Sequence, residues 1–132
     1  MEKITGLFIA PVVDAPILVS IPNELAAFQV AVGGYIETVD PAIMSDHNVV
    51  MIINEQGRVH GLDINRIATY CFSGLKNRFL SKADPRVILG GAIIIGVDGD
   101  EFASLTDSEI ETLKLRLSNV CDEEIADWRW ME

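Results

Sequence analysis

Asn48-Val49-Val50-Met51-Ile52-Ile53, followed at once by Asn54-Glu55-Gln56-Gly57, is an apolar run that stops at a turn. A strand with one wet face alternates apolar and polar side chains, because successive side chains point to opposite faces. The unbroken run Val49 to Ile53 therefore predicts a central strand covered on both faces. Such a strand needs neighbours on each side and helices packed against the sheet, and the sequence around it supplies both.

Upstream, Tyr35 to Val39 reads as a strand, with Tyr35, Glu37 and Val39 on one face and Ile36 and Thr38 on the other. Asp40-Pro41 ends it, and a loop through Asp46-His47 leads into the central strand. Before it, Pro22-Asn23-Glu24 signals a helix start, Leu25, Phe28 and Val32 make one apolar face, and Gly33 or Gly34 supplies a left-handed end. The β-rich runs Lys3 to Ala10 and Pro16 to Ile21, joined by Pro11 to Ala15, predict a hairpin.

Downstream, Asp63 is the expected cap of a helix whose buried stripe is Ile64, Ile67, Ala68, Cys71 and Phe72, ending at Gly74. Leu75 to Asp84 reads as a loop. Pro85 to Leu89 and Ala92 to Val97 flank Gly90-Gly91, which predicts a buried strand entered through a bend or bulge. Asp98-Gly99-Asp100 is a hairpin turn into Glu101 to Ser104. Thr106-Asp107-Ser108-Glu109 is a capping box, with Ile110, Leu113, Leu117 and Val120 as the stripe of the helix that follows. The expected order is β-β-α-β-β-α-β-β-α. That is an α+β fold, a mixed or antiparallel sheet packed with about three helices, as one domain over 1–132 with an acidic, tryptophan-bearing tail at 121–132.

Charge is uneven. The net charge is −10, yet residues 64–97 carry Arg66, Lys76, Arg78, Lys82 and Arg86 against Asp84 alone. An acidic exterior argues against long DNA or RNA, whose phosphates require an extended basic stripe, but leaves room for a local site for a small anion. No run of 18 apolar residues and no secretory pattern at Met1-Glu2-Lys3-Ile4 is present, so a cytoplasmic protein without membrane partners is expected. Cys71 and Cys121 lie far apart and read as reduced thiols.

Several chemical motifs fail on inspection. Asp98-Gly99-Asp100-Glu101 resembles the start of a calcium loop, but Phe102 and Ala103 stand where a ligand and a glycine are required. His47 and His60 have no ligand-spaced partner, so no metal is predicted. Ser45-Asp46-His47 has triad residue types without triad geometry, and no catalytic residue is assigned. The glycine pairs match neither dinucleotide nor P-loop spacing, and no cofactor is expected.

Val32-Gly33-Gly34-Tyr35-Ile36-Glu37, Asn54-Glu55-Gln56-Gly57, Asn65 with Ala68, and Gly90-Gly91-Ala92-Ile93 feeding Ser104-Leu105-Thr106-Asp107 form a pattern over roughly residues 25–107. It resembles a family of small phage and bacterial proteins known as a domain of unknown function. The resemblance implies a fold and a phage context, and no mechanism.

The polar residues at these turns define the expected site: Gly34, Tyr35, Glu37, Asn54, Glu55, Asn65, Arg66 and Arg86. Tyr35 would stack on a base, Glu37 and Asn54 would read hydroxyls or base edges, and Arg66 with Arg86 would meet phosphate. The function expected is non-enzymatic binding of a small nucleotide-like ligand by a homo-oligomer, for instance to sequester a bacterial immune signal. The alternative is an acidic inhibitor that imitates DNA and blocks a host enzyme through Asp122, Glu123, Glu124 and Asp127.

Overall fold

A computed structural model describes residues 2–11, 15–76, 79–118 and 120, and the backbone of 130–131. Its strands are β1 (Lys3–Ile9), β2 (Ile17–Pro22), β3 (Ile36–Val39), β4 (Val49–Asn54), β5 (Ala92–Asp98), β6 (Glu101–Ala103) and β7 (Trp130–Met131). The helices are α1 (Leu25–Val32), α2 (Arg66–Ser73) and α3 (Asp107–Leu117), with a 3₁₀ turn at Ala42–Met44. The sheet runs β3-β4-β5-β1-β2-β7, and β6 also pairs with β5. The pairings are antiparallel except β2 with β7. The α+β architecture and the order of its first nine elements, the 3₁₀ turn aside, match the expectation from sequence.

The apolar runs lie in the middle of the sheet. β4 sits between β3 and β5, and β5 between β4 and β1. On one face, Met51, Ala92 and Ile94 join Leu7, Ile67, Cys71, Leu113 and Leu117 beneath α2 and α3. On the other, Ile52, Ile93 and Ile95 join Ile4, Ile21, Phe28 and Val32 beneath α1. Alternation along a strand sends neighbouring side chains into these two cores, which is why no polar residue interrupts Val49 to Ile53. Because α1 is short, a groove of about 400 Å³ remains between it and β1–β2, lined by Phe8, Val19, Ile21, Ala27, Val30 and Ala31 among others.

Local signals set most element ends. Gly33, at φ 82°, closes α1, and its N–H donates to the Gln29 carbonyl. Thr106 and Glu109 make both hydrogen bonds of the capping box at α3.

Three expectations need correction. The cap of α2 is Asn65, not Asp63: the Asn65 side chain accepts from the Ala68 N–H, and Ile64 lies outside the helix. Pro85 to Leu89 is not a strand, because it meets no neighbouring strand; it turns, and Leu89 forms one isolated bridge with Ile64. Val120 is buried as expected but lies beyond the end of α3 at Leu117. The expectation for Cys121 and, apart from the backbone of 130–131, those for the acidic, tryptophan-bearing tail lie outside the described residues.

Candidate functional site

The turn that ends β4 is built around Asn54. Its Nδ2 donates to the Val32 carbonyl at 3.1 Å and its Oδ1 accepts from the Gln56 N–H at 2.8 Å, so one side chain ties the C-terminus of α1 to the turn. Gly34 packs directly on it, since a Cβ at that position would stand 3.0 Å from Asn54 Nδ2. Gly57 closes the turn against the chain at Leu89, whose carbonyl would be 2.8 Å from a Cβ there. Any side chain at Gly57 would have to displace backbone.

This turn shapes a recess of about 100 Å³ lined by Glu37, Asn54, Glu55 and Arg58, with Ile53, Ile88 and Leu89 among its apolar walls. The register explains the convergence. Glu37 pairs with Ile53, and the Glu55 N–H donates to the Tyr35 carbonyl at 2.8 Å, so alternation brings Glu37 and Glu55 to one face as diagonal neighbours. Neither carboxylate has a hydrogen-bond or ion-pair partner among the described residues. Arg58 is anchored through Nη2, which donates to the carbonyls of Asp84 and Val87, each at 2.6 Å. It is a site residue that the sequence reading omits, although it directly follows the Asn54-Gly57 turn.

The other expected residues lie elsewhere. Asn65 is 0% exposed; its Nδ2 donates to the carbonyls of Ile9 and Gly90, each at 2.9 Å, and bridges the end of β1 to the start of β5. Arg66 opens α2 and is not part of the recess. Arg86 binds Asp84 through Nε and Nη2, a pairing that lowers the Asp84 carboxyl to about 2. Tyr35, 63% exposed, immediately precedes β3, opposite Glu55. Thus Glu37, Asn54 and Glu55 line one recess and Gly34 packs on the Asn54 side chain behind it, while Tyr35, Asn65, Arg66 and Arg86 are not part of its lining.

The recess, with two carboxylates that have no partner among the described residues, lies over an apolar wall at the edge of the sheet of an α+β domain, stapled to a helix by a buried asparagine. A model of the family described as a domain of unknown function, DUF3846, matches residues 4–118, and the chain belongs to that family. No curated protein and no solved structure matches the chain. Among the described residues, no helix is long and apolar enough to cross a membrane.

Proposed function

We propose that this chain is a non-enzymatic binding protein for a small nucleotide-like ligand, received at the recess between Glu37, Glu55 and Arg58. The observation that supports this reading is the pair of carboxylates, Glu37 and Glu55, without partners among the described residues and lining one recess with an anchored guanidinium. Diagonal carboxylates accept hydrogen bonds from two neighbouring hydroxyls, as a ribose presents them, or from a base amino group. A volume near 100 Å³ admits one such group, so the rest of the ligand lies outside, with its phosphate directed away from Glu37 and Glu55. In an infected bacterium, such a protein would act by holding an immune signal out of solution.

The test uses the full chain incubated with bacterial extract, repurified, denatured and analysed by mass spectrometry. The expected result is an intact nucleotide-like compound released from the native sequence and absent from the Glu37→Gln, Glu55→Gln double variant. No released compound, or equal release from both proteins, would overturn the reading.

A further inference from the structure

The β3–β4 hairpin carries a second recess at its opposite end. Glu37 and Asp40 are three residues apart along the chain, about 10 Å in an extended strand. Beyond Asp40, the connection turns through Pro41 and the 3₁₀ turn and returns into β4 at Val49. Between the two arms lies a recess of about 340 Å³ whose walls include Met44, Val49, Val50 and Val97 and whose polar groups are Asp40, Ser45, His47 and Asn48. That volume falls in the range of small-molecule sites, and the composition, an apolar floor with a few polar groups, is the one such sites use.

The polar groups differ from those of Asn54 and Asn65 in one respect. The side chains of Asp40, Ser45 and Asn48 make no hydrogen bond or ion pair among the described residues, so none is committed to holding the backbone in place. The loop is held by a different residue. Arg116 of α3 donates to Asp46 Oδ1 at 2.6 Å, to Asp46 Oδ2 at 2.8 Å and to the Ile43 carbonyl at 2.7 Å. Asp46 is therefore neutralised by a bidentate pair, and the His47 ring stands 3.7 Å from the same carboxylate. Among the described residues of the lining, Asp40 is the one carboxylate and there is no lysine or arginine.

We propose that this recess is a binding site for a small organic cation, an ammonium group carried on an apolar ring or chain. The ammonium pairs with Asp40, Ser45 and Asn48 offer further hydrogen bonds, and the ring covers the half-buried Val50 and Val97, which share one face of the sheet. A net charge of −10 raises the local concentration of cations and disfavours an anion of the same shape. The site is separate from the Glu37 recess and does not depend on the function proposed there.

The experiment is a titration of the ¹⁵N-labelled full chain with tryptamine, and in parallel with indole-3-propionate, which keeps the ring and reverses the charge. Tryptamine is expected to shift the amides of Asp40, Ser45 to Val50 and Val97, while indole-3-propionate leaves them in place. Asp40→Asn, at an exposed position, is expected to weaken tryptamine binding roughly tenfold, the effect of losing one charge-assisted hydrogen bond. Equal shifts from both indoles, shifts at Glu37 and Glu55 instead, no shifts at all, or unchanged affinity in Asp40→Asn would each overturn the proposal.

Discussion

Asn65 shows how one buried amide serves three segments. Its carbonyl oxygen caps α2 by accepting from Ala68 N–H, while its amino group donates to the carbonyls of Ile9 and Gly90. Replacing it with alanine removes a cap, worth ~1 kcal/mol, and leaves two buried carbonyls without a donor, at ~1 kcal/mol or more each. Asn65→Ala is therefore expected to lose about 3 kcal/mol in urea unfolding. Asn65→Asp separates the two contributions. Aspartate retains the capping acceptor but places a carboxylate against two carbonyl oxygens, so it should rescue nothing. A variant Asn65→Asp as stable as the native chain would show that the bridge to Ile9 and Gly90 contributes little.

At the scale of elements, the Arg116 to Asp46 clasp joins α3 to the connection between β3 and β4. Hydrogen bonds from Arg116 hold the Asp46 carboxyl well below the usual carboxylate range. A carboxyl whose folded value is depressed contributes stability that is present above its unfolded value, near ~3.9, and is lost as pH falls toward the folded value. Arg116→Met should accordingly melt below the native chain at pH 7, by a small margin because the pair is exposed, and the two melting curves should converge on acidification below about pH 4. A gap that persists unchanged at low pH would assign the effect to lost packing of the arginine stem.

The same scale shows what the sequence discloses. The ends of α1 and α3 are legible because Gly33 and the Thr106–Glu109 box act locally. The start of α2 is not, since Asp63 and Asn65 are both competent caps and the choice is made by distant carbonyls at Ile9 and Gly90. Pro85 to Leu89 has the composition of a strand, but pairing is a property of neighbours, and among the described residues none lies alongside beyond the Leu89 bridge. For the site, Glu37 and Glu55 are legible together because one strand pairing puts them on one face, while Asn54, opposite Ile36, turns its side chain toward α1. The place of Arg58 depends on the chain at Asp84 and Val87 folding back, which no local pattern reports.

For the whole molecule, the sheet is graded in stability from its middle outward. β5 pairs with β4, β1 and β6 and contributes to both cores, whereas β3 is four residues long and, among the described residues, pairs with β4 alone. Glu37 in the middle of that short strand opposes pairing with another chain, since a charge on an exposed edge discourages further strand addition. Amides that open only with global unfolding belong where burial and pairing are greatest, and edge strands open at lower free energy. Native-state hydrogen exchange should therefore find the slowest amides at Ile93 to Ile95 and markedly faster exchange for those β3 amides that hydrogen-bond to β4. Both recesses border this strand, so a compound that binds either one should slow exchange in β3 selectively and leave β5 unchanged, because binding stabilises the ordered edge by mass action. If β3 and β5 exchanged at one common free energy, the sheet would open as a single unit, and local ordering of the hairpin could not accompany binding at either end.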